Sequence, residues 1–192
     1  IVPSALAQKK GGGGGGGGGG GPSRNTGNYG VGGNGCFTAD TLVLLADGRQ
    51  TPISKIKPGD ELAIGMDSRE TAKVSQLYTL ESDELLLMSL RSKDQPGNES
   101  RDLRVTGEHL VWRDGSGWTH ARDLRPGDWL HDRAGGMIEI TSVKSVPGKH
   151  KVFTLQLKGG STFYAGGVLV QDLCGGLYLD PSVLSKLEPV KE

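Results

Sequence analysis

The chain has 192 residues, with 22 Lys plus Arg against 22 Asp plus Glu, so its formal net charge is zero. A balanced surface lacks the clustered charge that nonspecific nucleic-acid binding or a polybasic membrane face requires. No apolar run approaches the roughly 20 residues that cross a bilayer as a helix. Two cysteines are too few for a disulfide scaffold or a Cys-rich zinc site, and neither a metal nor an organic cofactor is expected.

Residues 1–35 read as a head without a core. Ala5-Leu6-Ala7 before Gln8 fits the small-x-small end of a secretory signal peptide, with an arbitrary apolar end as the alternative. On the first reading the protein is secreted or held at the cell surface. Eleven glycines (11–21) follow Lys9-Lys10, and 16 of the 33 glycines precede Cys36. Such a stretch has no apolar surface to offset its ordering entropy and predicts a flexible, disordered tether.

From Cys36 the chain repeats itself. Thr38-Ala39-Asp40-Thr41-Leu42-Val43 is matched by Thr106-Gly107-Glu108-His109-Leu110-Val111. Asp47-Gly48 is matched by Asp114-Gly115, and Ile56-Lys57-Pro58-Gly59-Asp60 by Leu124-Arg125-Pro126-Gly127-Asp128. The first and last pairs share an offset of 68 residues, and Leu85–Leu90 is echoed by Val152–Leu157 at an offset of 67. One domain over 36–172, with halves of about 36–103 and 104–172, accounts for this. Residues 173–192 form a short tail, in which Pro181–Leu187 suits one short helix.

The local pattern is β throughout. Thr41–Leu45, Leu85–Leu90 and Val152–Leu157 are strand-like runs that end at turn signals. Both Pro-Gly-Asp triplets sit where a turn is needed, since Pro fixes φ and Gly supplies positive φ. Ile53–Ile56 and His120–Leu124 predict single helical turns leading into them. Asp94–Arg101 predicts a polar surface loop. The fold class is all-β with two-fold pseudosymmetry. Trp112, Trp118 and Trp129 are expected at core or rim positions, and His120, His131 and His150 at surface or turn positions. Asp60 and Asp128 are expected to bond within their turns.

Cys36 opens this domain directly after Gly35, while Thr106 and His109 open the second half. Pseudosymmetry brings related segments together at an axis. A cysteine there is placed to attack the carbonyl of the preceding residue, converting the Gly35–Cys36 amide into a thioester. The thiolate is the nucleophile. His109 suits protonation of the leaving nitrogen and Thr106 the developing oxyanion, by hydroxyl or N–H. Gly35 lets the scissile backbone bend without a Cβ clash.

These segments resemble the Hint superfamily of inteins, bacterial intein-like domains and hedgehog autoprocessing domains. Cys36–Val43 looks like its N-terminal motif, and Val105–Trp112 resembles its Thr-x-x-His block. Leu124–Asp128 is similar to a segment of many bacterial intein-like domains, and Ser161–Asp172 to the C-terminal splicing motif. The resemblance implies a compact pseudo-two-fold horseshoe. It also implies autoproteolysis with Cys36 as acyl-shift nucleophile and Thr106 and His109 as its assistants. The substrate would be the chain's own N-terminal segment, and water or a small nucleophile the acyl acceptor, in a monomer.

The last block departs from the splicing pattern, because Gln171-Asp172 stands where His-Asn is usual, Ser161 replaces an earlier His, and Leu173 follows. An Asp carboxylate is a poor nucleophile for cyclisation, and Leu173 cannot accept an acyl group. Cleavage at Gly35–Cys36 without full splicing is therefore expected. The alternative is a degenerate Hint module kept as a structural or interaction domain. A pre-toxin release module would need a sizeable effector after Asp172. Glu81 and Asp83 lie where a hedgehog-type domain carries an acidic base, but their register assigns them no role. Hint domains bring their ends together, so a Cys36–Cys174 disulfide that blocks the nucleophile is a further hypothesis beside a spare tail thiol.

Overall fold

Short apolar runs punctuated by glycine turns favour strands, and thirteen form among the described residues. The computed structural model describes residues 35–93, 100–173 and 185–190. The tether, the signal-like head and Cys174 lie outside the described residues, as does most of the expected loop. The strands are β1 (Phe37–Thr38), β2 (Leu42–Leu44), β3 (Gln50–Pro52), β4 (Glu61–Ile64) and β5 (Glu70–Ser92). Then come β6 (Ser100–Val105), β7 (Leu110–Arg113), β8 (Gly117–His120) and β9 (Trp129–His131). The set ends with β10 (Met137–Lys158), β11 (Thr162–Ala165), β12 (Val168–Gln171) and β13 (Glu188–Pro189). They join in one sheet in the order β13-β5-β6-β1-β10-β9-β7-β12-β11-β2-β3, with β4 on β5 and β8 on β7.

Two long strands organise the sheet. β5 and β10 are 23 and 22 residues long and pair antiparallel from Ser92↔Ile138 to Lys73↔Lys158. The strand-like runs Leu85–Leu90 and Val152–Leu157 are the apolar stretches of this ribbon. The register shifts between Ile140 and Ser142, between Pro147 and His150, and between Gln156 and Leu157. Such bulges bend a strand, and the second one accommodates Pro147-Gly148, which would otherwise break the ladder. Because β5 also pairs with β6, the strands β1, β6, β5 and β10 form a closed ring of pairings around the start of the domain.

The duplication is written in the backbone hydrogen bonds. Thr41 N–H donates to Thr38 C=O at 3.0 Å and His109 N–H to Thr106 C=O at 3.2 Å. Ile53 N–H donates to Thr41 C=O and Ala121 N–H to His109 C=O, each at 2.8 Å. The expected helical turns are 3-10 turns, Ile53–Lys55 and Ala121–Asp123. In the following turns Gly59 and Gly127 adopt φ of 92° and 91°, the left-handed region that glycine enters freely.

Asp60 and Asp128 close those turns as expected: each Oδ2 accepts the N–H three residues back, from Lys57 and Arg125, at 2.8 Å. Asp128 also pairs with Arg113 at 2.8 Å. Asp60→Ala is expected to cost about 0.5–1 kcal/mol and Asp128→Ala about 1–2 kcal/mol. Urea midpoints at constant slope check this order, and equal losses would contradict it.

The core lies between the two halves and is dominated by aliphatic side chains, with the Phe37 and Phe163 rings 6.2 Å apart and edge-on. Trp112 and Trp118 meet edge-on at 5.1 Å over Tyr164 and Leu169, a rim position as expected. Trp129 lies 5.8 Å from the Lys93 ammonium. Two expectations need correction. Ser100 and Arg101 belong to β6 and not to the loop, because they continue the ladder with Arg91 and Leu90. Of the helix expected over 181–187, residues 181–184 lie outside the described residues and Ser185–Leu187 are not helical. The tail instead adds β13 to β5, and Val190 N–H donates to Leu77 C=O at 2.9 Å. Among the described residues no helix is long and apolar enough to cross a membrane.

Candidate active site at the Gly35–Cys36 junction

β1 enters the strand ring at Phe37, which pairs with Val105 on β6 and Phe153 on β10. One residue earlier, the Cys36 N–H donates to Thr106 Oγ1 at 2.9 Å, and Thr106 N–H donates to Cys36 C=O at 3.0 Å. Thr106 thus grips Cys36 from both sides of its α-carbon. The Gly35–Cys36 amide nitrogen, the atom that must leave in an acyl shift, is held by a hydroxyl.

His109 is on the other side of this peptide. A Cβ placed on Gly35 would lie 2.1 Å from His109 Nδ1, so the glycine backbone rests directly on the imidazole. Phe37 supports the same ring, with centroids 4.2 Å apart. His109 is only 2% exposed, and burial pushes its pKa down from 6.5 to about 3. Backbone groups of Gly35 and Gln171 near the ring favour the proton and offset part of that penalty, while His120 adds to it. Those groups act through their dipoles, because neither ring nitrogen makes a hydrogen bond of good geometry. The resting imidazole is neutral and able to accept a proton.

The Cys36 side chain is fully buried and packs with Leu85 and Val152. Burial pushes its thiol pKa up, so the resting group is the thiol. Extended backbone alternates its side chains. Gly35 and Phe37 face His109, and Cys36 faces the Leu85–Val152 cluster. The sulfur and the imidazole therefore flank the scissile peptide from opposite sides.

The structure brings Gly35, Cys36, Thr106 and His109 into one contact set, as the duplication suggests. The bonds above put Thr106 on the amide nitrogen, whereas the sequence reading set it at the oxyanion. The C-terminal block also arrives here, since the Gln171 backbone is beside His109. Asp172 turns elsewhere: its Oδ2 accepts the Leu157 N–H at 2.9 Å, and its own N–H donates to Ser161 C=O at 2.9 Å. Cys36 is a free thiol; Cys174, its suggested partner, is outside the described residues. Glu81 is exposed and pairs with Lys149 at 3.8 Å. The sequence reading missed Phe37 as the support of the His109 ring; its place in the motif beside Cys36 was the available signal.

No sequence-family model matches the chain. Over 102 residues, half of this chain, it is 28% identical to a replicative DNA helicase DnaB of Rhodothermus marinus and 29% identical to a reverse gyrase of Pyrococcus horikoshii. It spans only 10% and 6% of those proteins. Among solved structures it is similar to a bacterial intein-like domain from Clostridium thermocellum, with 26% identity and a TM-score of 0.60 over 71% of this chain and 98% of that one. A DnaB intein from Synechocystis sp. PCC 6803 matches with 23% identity and a TM-score of 0.55 over 72% and 99%. The gp41-1 intein matches with 18% identity and a TM-score of 0.58 over 73% and 100%. The all-β duplicated body is the Hint fold. Within that fold, the chain is similar to a bacterial intein-like domain.

Proposed function

We propose that this domain processes its own chain by moving the Gly35 acyl group onto the Cys36 sulfur. The observation that carries the reading is the double hold on one peptide, with Thr106 Oγ1 at the Cys36 nitrogen and the His109 ring against Gly35. In the step, an S–C bond forms to the Gly35 carbonyl carbon while the C–N bond to Cys36 breaks. The thiol gives up one proton and the departing nitrogen gains one. Neutral His109 is the group able to accept a proton and release it at this peptide. The thioester is then resolved by water or a small external nucleophile. Asp172 offers a carboxylate where cyclisation takes a carboxamide, and Leu173 is no acyl acceptor, so the reading stops short of splicing.

The test is intact mass after expression of the full chain, with and without hydroxylamine. A fragment ending at Gly35, faster with hydroxylamine and absent in Cys36→Ala, is the expected result. An uncleaved chain that resists hydroxylamine would leave the second reading, an inert interaction module, which the burial of the Cys36 thiol favours.

A further inference from the structure

One buried polar atom next to this site has no part in the chemistry above. Thr154 is 1% exposed, and its Oγ1 makes no hydrogen bond. A hydroxyl without a partner in an apolar interior is costly, and native interiors hold few of them. Its location is informative. β1 pairs with β10 through Phe37↔Phe153 and Thr38↔Val152. Carried one residue further, that antiparallel register sets Cys36 opposite Thr154. Directly opposed residues share a face of the sheet, with Cβ atoms about 4.5–5.5 Å apart. Val152, two residues from Thr154 and on its face, already packs with Cys36, which agrees with this placement.

We propose that the Thr154 hydroxyl turns to donate a hydrogen bond to the Cys36 sulfur as the thiol ionises, stabilising the thiolate while it attacks Gly35. The inference rests on the processing function above and adds a residue to it. Thr154 keeps its own proton throughout: the S–C bond forms, the C–N bond breaks, and the thiol proton is balanced by the one gained at the Cys36 nitrogen. The apolar walls from Leu85 and Val152 offer the thiolate no donor, so this hydroxyl has an unfilled role to take. Burial that holds the thiol protonated makes such a donor more valuable. The bond would form as negative charge gathers on sulfur and be released again in the neutral thioester.

Thr154→Val keeps the shape and removes the hydroxyl, and Thr154→Ser restores it. In the full chain, Thr154→Val is expected to slow hydroxylamine-dependent cleavage about 10- to 100-fold, the size of one charge-assisted hydrogen bond. Its pH–rate profile should move to higher pH, and Thr154→Ser should recover most of the rate. The thermal midpoint should stay level or rise, since the hydroxyl bonds nothing in the resting fold. A Thr154→Val chain that cleaves at the original rate with the original pH profile overturns the proposal. So does a slowed variant that has lost stability and keeps its pH profile, which would be a packing effect. A second readout is independent of cleavage: the pH dependence of Cys36 alkylation by iodoacetamide, in a Cys174→Ser background. If that profile shifts upward in Thr154→Val while no chain cleaves at all, the pairing stands and the processing function fails. An unshifted profile removes the pairing.

Discussion

Gly35→Ala is expected to leave the domain folded and to lower the rate of cleavage at residue 35 by about 100-fold or more. The added methyl would lie 2.1 Å from His109 Nδ1, 2.6 Å from Cγ and 2.8 Å from Cε1. These are ring atoms, so no flexible chain end can swing aside. The ring cannot retreat easily either, since it is buried and packed at a tilt against Phe37, with centroids 4.2 Å apart. The clash is therefore relieved by moving the scissile peptide away from the imidazole. A displacement of about 1 Å between reacting groups costs on the order of 10² in rate. Gly35 is only half-buried and precedes the first strand, so the shift costs little stability. The measurement is the single-turnover rate of hydroxylamine cleavage beside the thermal midpoint of the Cys36→Ala forms. Equal rates for the unsubstituted chain and the Gly35→Ala variant would show that His109 does not act on this peptide. The effect also separates a steric requirement from the intrinsic reactivity of a Gly-Cys bond, because Ala-Cys amides are chemically similar.

The site was legible in the sequence to the extent that turn chemistry reports backbone position. Pro-Gly-Asp fixes a turn locally, and its recurrence at an offset of 68 residues gave the duplication and, through it, the pairing of Cys36 with Thr106 and His109. Facing was harder to read. Whether Thr106 meets the carbonyl oxygen or the amide nitrogen depends on the register of β6 against the residue before β1, which no local pattern encodes. The same holds for Thr154, an ordinary strand threonine until the register sets it across from Cys36. The length of β5 and β10 was hidden for another reason. Their middle carries Glu81, Asp83 and Glu84 on one strand and Pro147-Gly148-Lys149 on the other, a composition that suggests loops. The bulge at that point absorbs the proline and glycine, and exposure absorbs the charges. β13 escaped because a two-residue strand with a proline has no periodicity; only docking against β5 defines it.

Acid is expected to destabilise the domain in a way that one residue controls. His109 has an ordinary pKa of 6.5 when unfolded and one of about 3 in the fold, because burial penalises its cation. Between those values the unfolded chain carries a proton that the native chain does not. Stability therefore falls as pH drops through this window, by about 1.4 kcal/mol per pH unit, and is fully present above about 6.5. Over the whole window the loss approaches about 4–5 kcal/mol, a large fraction of what holds an ordinary domain together. His109→Gln removes the titration. Its unfolding free energy should start lower at about pH 7.5, where a buried amide replaces a fitted ring, and should then fall more gently toward about pH 4.5. Urea denaturation of both chains, made uncleavable by Cys36→Ala, gives the two slopes. Parallel slopes would mean that His109 is hydrated or bonded well enough to titrate normally. The same burial has a catalytic consequence. An imidazole that stays neutral from about pH 5 to 8 cannot impose the usual acid limb near its free pKa, so the cleavage rate over that range should follow the Cys36 thiol and rise with pH. A rate that instead peaks near about pH 6.5 would assign the proton transfer to a group other than the buried His109.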